Sequence, residues 1–193
     1  MTMARPNVRE KIIEAGLKVL IDKGFNGAAV QDITAAAGVP KGSFYNHFES
    51  KEALGAEIVD RYGRNNPRRA ALSDTTLPPL PRLRAHFERL SESFASESFG
   101  RGCLLGNFSA ELAGQSQMIR ERLAHLYVSW STDIATVIAE AQADGSISTK
   151  TPAADLAGFL LDAYEGALLR ARVEKSGRAF DRFMTVAFTQ ILV

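Results

Sequence analysis

The sequence predicts an all-α protein of about nine helices, on three observations. Apolar residues recur at three- and four-residue spacing through each long segment. No stretch competes with the alternating pattern of a half-buried strand. Glycine or proline stands at several of the joins, notably Gly24, Gly38 with Pro40, the run from Ser73 to Pro81, and Gly177. With 193 residues, 46% of them hydrophobic, there is material for a substantial core in one large or two small domains.

Asn7 is placed to cap a first helix running to about Lys23. Glu10, Lys11, Glu14, Lys18 and Asp22 would face water, and Val8, Ile12, Leu17, Val19 and Leu20 the interior. Gly24 ends it. Val30, Ile33, Ala36 and Ala37 mark a second helix, which Gly38 terminates and Pro40 prevents from continuing through Val39. A third, short helix opens at Lys41. Its apolar Phe44 and Phe48 lie one turn apart, which leaves Lys41, Ser43, Tyr45, Asn46 and His47 on the remaining surface, with Gly42 beside them. Two short helices joined tightly, the second carrying groups that contact phosphates and base edges, make a device for reading DNA. Ser50 is a good N-cap for a fourth helix past Leu54, Ile58 and Tyr62. It weakens at Asn65, Asn66 and Pro67. The polar, proline-rich run to Pro81 then resembles an inter-domain connection.

Five more helices are expected, at about 80–96, 104–114, 116–143, 152–175 and 178–192. Thr151 before Pro152 suits a helix start, with the hydroxyl capping and proline in the first turn. The domains expected are residues 1–52 for DNA binding, a connecting helix at about 50–66, and a second helical domain over 67–193.

Charge and composition exclude several classes. The net charge is only +1, but residues 1–69 hold eleven Lys/Arg against eight Asp/Glu, so the basic excess lies with the two-helix device. One cysteine cannot form an intrachain disulfide. No long apolar stretch follows the basic N-terminus, and Ala153 to Val173 is interrupted by Asp155, Asp162, Glu165, Arg170 and Arg172, so a cytoplasmic protein is expected. There is no acidic cluster, glycine-rich phosphate loop or metal-ligand spacing, so no catalytic residue, metal or cofactor is assigned. The alternative from another class is a cysteine-dependent enzyme or thiol redox protein built on Cys103, with His86 or His125 as base.

The segment GVPKGSFYNHFESKEAL, residues 38–54, resembles the helix-turn-helix signature of the tetracycline-repressor (TetR) family. The resemblance implies a regulator, by family habit a repressor, that binds an inverted-repeat operator as a homodimer through its last two helices and is released by a small molecule. It also assigns roles. Tyr45 and His47 resemble the family's phosphate-contacting pair and Lys51 its phosphate-binding lysine, while Lys41, Ser43 and Asn46 occupy variable, base-facing positions. Gln31 on the preceding helix could also reach a base or phosphate. Lys51 gains independent support, because a cation in the first turn of a helix opposes the macrodipole unless an anion docks there. One departure stands out: many relatives carry Thr or Ser where this chain has Ala28 and Ala29, and alanine cannot cap.

The segment RGCLLGNFSAELAGQS, residues 101–116, resembles a TetR subgroup with a Gly-Cys-Leu element, some of whose members respond to electrophiles or oxidants and others to small unsaturated acids. Cys103 at a helix start beside Arg101 would gain thiolate character, although an unpaired cysteine is more often a small buried residue. Where a lysine partner would be sought in electrophile-responsive relatives, this chain has Arg170 and Arg172. The expected ligand-sensing set is Cys103, Asn107, Phe108, Tyr127, Trp130 and Tyr164, with Phe87 and Phe94 as further candidates.

Overall fold

The computed structural model describes residues 7–64, 67–100 and 102–193, with the side chains of 64, 67 and 68 outside the description. Nine α-helices run among the described residues, without a strand: α1 (Val8–Lys23), α2 (Val30–Ala37), α3 (Lys41–Tyr45), α4 (Lys51–Arg64), α5 (Pro79–Ala95), α6 (Leu104–Leu112), α7 (Gln117–Ala143), α8 (Ala153–Glu174) and α9 (Arg178–Val186). A 3₁₀ segment, Pro67–Ser73, precedes α5, and the turn after α9 widens over Ala187–Ile191 into i to i+5 bonding, closed by the Leu192 amide on the Ala187 carbonyl at 2.9 Å. The all-α class and the order of helices match the sequence expectation.

Two compact units form: Met1–Asn65 with Cys103–Leu126, and Asn66–Gly102 with Tyr127–Val193. These differ from the division expected at 52 and 67, because Cys103–Leu126 pack with the N-terminal helices. That association is long-range in sequence, and no local pattern announces it.

In the first unit, Ile12, Leu20, Ile33, Phe44, Leu54 and Ile58 are buried almost completely. The Asn7 cap forms as expected, its Oδ1 accepting the Arg9 amide at 3.1 Å. The buried stripe of α1 is Ile12, Ile13, Gly16 and Leu20, whereas Val8 is 37% exposed and Leu17 and Val19 are half-buried. Gly16 explains the shift. A Cβ there would lie 3.0 Å from both Leu54 and Ile58, so the missing side chain lets α4 approach and turns the stripe toward it. Arg61 of α4 then grips Glu10 of α1 and Glu57 one turn back. Arg122 pairs with Asp60, and the Ser116 hydroxyl donates to Glu52, tying the start of α7 to α4.

The second unit has an aromatic core. Phe87 of α5 lies 5.0 Å from Phe183 and 5.6 Å from Tyr164, which also stacks on Phe180 at 5.7 Å. Trp130 donates its indole N–H to Nε2 of the buried His86 at 3.1 Å. Arg82, 4% exposed, pairs with Glu140, and Arg69 pairs with Asp133. Pro79 and Pro81 occupy the first turn of α5, where an amide hydrogen is dispensable. Thr151 does not cap α8. Pro152 takes the N-cap position and Ala153 begins the helix, so the Thr151 hydroxyl lies outside it and shares a hydrogen bond with Thr149 instead. Among the described residues, no helix is long and apolar enough to cross a membrane, and no group of His, Cys, Asp and Glu could hold a metal ion.

Candidate DNA-binding interface

The α2–turn–α3 geometry follows from three residues. Gly38 adopts the left-handed conformation, φ 64° and ψ 37°, that an L side chain disfavours, and the Val39 amide closes the end of α2 on the Thr34 carbonyl at 3.0 Å. Pro40, which has no amide hydrogen to leave unpaired, is the N-cap of α3. Thr34, buried to 2% exposure, returns its hydroxyl to the carbonyls of Val30 and Gln31 at 3.2 Å.

Two buried rings anchor α3. Phe44 is fully buried, Phe48 nearly so, and their centroids are 5.7 Å apart. The Arg9 guanidinium lies 5.1 Å over the Phe48 ring and also pairs with Glu57. With both rings turned inward, Lys41, Gly42, Tyr45, Asn46 and His47 are exposed, Tyr45 to 57%. Ser43 is half-buried and Gln31, in the first turn of α2, is exposed. Residues 41–47 thus present their polar side chains on one short stretch, while Gln31 and Lys51 stand on α2 and α4. Gly42 adds a detail: a Cβ there would meet nothing within 4 Å, so the fold itself does not require glycine.

The departure at Ala28 and Ala29 is compensated in part. Ala29 is the N-cap of α2 and offers no side-chain acceptor, but the Asp32 carboxylate accepts the Ala29 amide at 2.8 Å, the half of a capping box that does not need a hydroxyl. Lys23 sits 2.9 Å from Asp32, and this ammonium, with the Ala29 amide second, holds the Asp32 carboxyl below its usual value.

Lys51, at the start of α4, is half-buried. Its Nζ donates to the carbonyls of Phe25 and Ala28, both at 2.6 Å, and lies 4.3 Å over the Phe25 ring. Desolvation there lowers its pKa, opposed by the charge of Glu111. Ser50 caps α4 as expected, its Oγ accepting the Ala53 amide at 3.0 Å. Glu111 was not legible in the sequence. From α6 its carboxylate accepts the Phe25 amide at 3.2 Å and the Asn26 amide at 2.7 Å. No local signal could have found a pairing 85 residues apart in the chain.

The ligand-sensing set is not brought together within one unit: Cys103, Asn107 and Phe108 belong to the first, Tyr127, Trp130 and Tyr164 to the second. Cys103 is the N-cap of α6 as expected, but it is 8% exposed, and Arg101 lies outside the described residues. A buried thiol gives the enzyme alternative no support. Phe108, fully buried, packs edge-on against Phe25 at 5.7 Å, and Asn107 is half-buried. Trp130 and Tyr164 are buried in the aromatic core, with Tyr127 half-buried.

On α8 and α9, Phe159, Ala163, Gly166, Ala167, Phe183 and Val186, with Arg170 and Arg182, line an open, mostly apolar groove of about 290 Å³.

Comparison with known proteins converges on one family. Residues 12–58 match the bacterial regulatory proteins of the tetR family, and residues 79–187 match the tetracyclin repressor-like C-terminal domain. The HTH-type transcriptional repressor DhaR of Mycobacterium sp. (strain GP1) is 41% identical over 98% of this chain and 95% of its own. The transcriptional regulator AcuR of Cereibacter sphaeroides is 36% identical over 86% of this chain and 76% of its own. Among solved structures, a regulatory protein TetR from Rhodobacter sphaeroides superposes with a TM-score of 0.89 at 34% identity, covering 96% of this chain and 99% of that one.

Proposed function

Because this chain belongs to the TetR family and is a DNA-binding transcriptional regulator, we propose that it is a repressor. It binds an inverted-repeat operator as a homodimer and leaves it when a small molecule binds. The observation that carries the DNA-reading part is the division of the stretch from Lys41 to Phe48. Two phenylalanines face inward, and Lys41, Tyr45, Asn46 and His47 face outward.

Lys41, Ser43 and Asn46 then read base edges in the major groove, while Tyr45 and His47 position the helix by bonding phosphates. Gly42 lets a phosphate backbone come close, which accounts for a glycine that the fold does not need. Lys51 uses two of its three N–H donors on carbonyls and keeps the third for a phosphate. Gln31 completes the contact from α2.

A single short helix reads too little sequence, so a twofold dimer is required to present two of them about one helical turn apart. The exposed apolar residues of α8 and α9 supply its self-complementary face. Release follows when an effector favours an arrangement of the two DNA-binding heads that no longer matches the half-sites. The Gly-Cys-Leu resemblance supports as effector either an electrophile sensed through Cys103 or a small unsaturated acid bound non-covalently. The burial of Cys103 then requires a local opening before any reagent reaches the thiol.

The test is fluorescence anisotropy of the full chain with duplexes from the DNA upstream of its own coding sequence, over a range of salt. Capture of one duplex, weakening as a power of salt concentration and lessened by Lys41→Ala, supports the reading. Equal, weak affinity for all duplexes overturns it. Excess maleimide that releases operator from wild type but not from Cys103→Ser supports the covalent sensor, and release from both ends it.

A further inference from the structure

We propose that Glu111 is a positioning residue for operator binding, acting from α6 through the turn between α1 and α2. This rests on the reading that α3 enters DNA, and it assigns a role to a residue that does not touch the duplex.

The turn from Gly24 to Ala28 is held at both polarities. The Glu111 carboxylate takes the amides of Phe25 and Asn26, and the Lys51 ammonium takes the carbonyls of Phe25 and Ala28. The Phe25 side chain is fixed as well, beneath Lys51 and edge-on to Phe108, which belongs to the same helix as Glu111. Gly24 fits around the carboxylate. Its backbone, at φ 75° and ψ 169°, lies in a region nearly restricted to glycine, and a Cβ would stand 2.6 Å from Glu111 Oε1.

This turn leads directly into Ala29, the N-cap of α2, which lacks the hydroxyl that would fix the helix start locally. The orientation of α2, and through the tight Gly38 turn that of α3, is therefore referred to α6. A shift of α6 must stretch the Glu111 bonds or carry the turn with it. Charge alone predicts the opposite sign for a variant. Removing a carboxylate near a DNA-facing unit should strengthen binding, whereas loss of the clamp should weaken it.

The experiment uses full-length wild type, Glu111→Gln and Glu111→Ala with a duplex selected in vitro on wild type, read by titration of active sites, affinity against salt, and amide hydrogen exchange. Glu111→Ala should weaken operator binding about tenfold, and Glu111→Gln less, since its amide oxygen keeps one acceptor. The slope of affinity against salt should be unchanged in both, because no phosphate contact is lost. Exchange at Phe25 and Asn26 should accelerate in Glu111→Ala while that of Leu20 and Ile58 stays as in wild type. Operator should slow exchange across 104–112 in wild type and not in Glu111→Ala, as reciprocal coupling requires.

Wild-type affinity in Glu111→Ala overturns the proposal, as does tighter binding. A fall in active fraction with unchanged affinity, or faster exchange throughout, shows a merely structural role and also overturns it. Failure of wild type to select any duplex overturns the DNA-binding reading itself.

Discussion

The α3 stretch and the α8–α9 face both look outward, but with opposite chemistry. Around α3 the rings of Phe44 and Phe48 are buried, and a lysine, a phenol, an amide and an imidazole are presented. On α8 and α9 several large apolar side chains lie on the surface, Phe159 at 52%, Leu169 at 53%, Val173 at 84% and Val186 at 43% exposure. A polar surface over a satisfied core fits a hydrated, anionic partner whose binding depends on salt. Exposed apolar side chains of this kind fit another protein chain, and under the homodimer proposed above that chain is a second copy. Exposed area thus means different things in the two places.

Phe159→Glu is the strongest way to break the contrast. Phe159 is half-exposed in the single chain, so folding of the protomer should change little, while a dimer would lose a buried ring and bury a carboxylate. By about 1.5–3 kcal/mol for the ring and more for the charge, self-association measured by sedimentation should weaken at least 100-fold, and operator affinity with it. An unchanged sedimentation profile would move the interface elsewhere.

Gly24→Ala tests the other side. A side chain at φ 75° and ψ 169° costs about 1–3 kcal/mol, and the Cβ also collides with Glu111. Thermal stability should drop and operator affinity fall further than stability alone requires, without affecting dimerisation.

Gly42→Ala separates folding from reading. In open space within a helix, alanine should stabilise by up to about 1 kcal/mol, yet operator affinity should fall several-fold as the methyl meets the duplex. A variant both more stable and equally tight would remove Gly42 from the interface.

The smallest effect concerns acid. Asp32 has its folded pKa held below the ordinary value of 3.8, chiefly by Lys23, so it adds stability above that value and loses it as pH falls through the folded one. Asp32→Asn should flatten the decline of melting temperature below about pH 4. A decline as steep as in wild type would show that the cap is not coupled to folding.

The elements of the fold were legible because their limits are set locally. Asn7, Gly38, Pro40 and Ser50 act through their own backbone neighbours, and each does so where the sequence places it. The inward rings of α3 were legible for the same reason. What could not be read depends on packing between distant segments. The stripe of α1 turns toward α4 through Gly16, Lys51 is drawn onto the carbonyls of a turn, and α6 joins the N-terminal helices through Glu111 and Phe108. Thr151 misled because two adjacent residues both suit a helix start, and only the backbone shows that Pro152 takes the cap.

Trp130 is the sole tryptophan of the chain, 5% exposed, 6.5 Å from the Tyr164 ring and hydrogen-bonded to His86. An indole N–H can only donate, so His86 Nε2 is the acceptor of this bond. The protein therefore carries its own fluorophore at the heart of the aromatic cluster. Anything that wedges between those rings will announce itself as a change in emission colour or intensity without any attached dye.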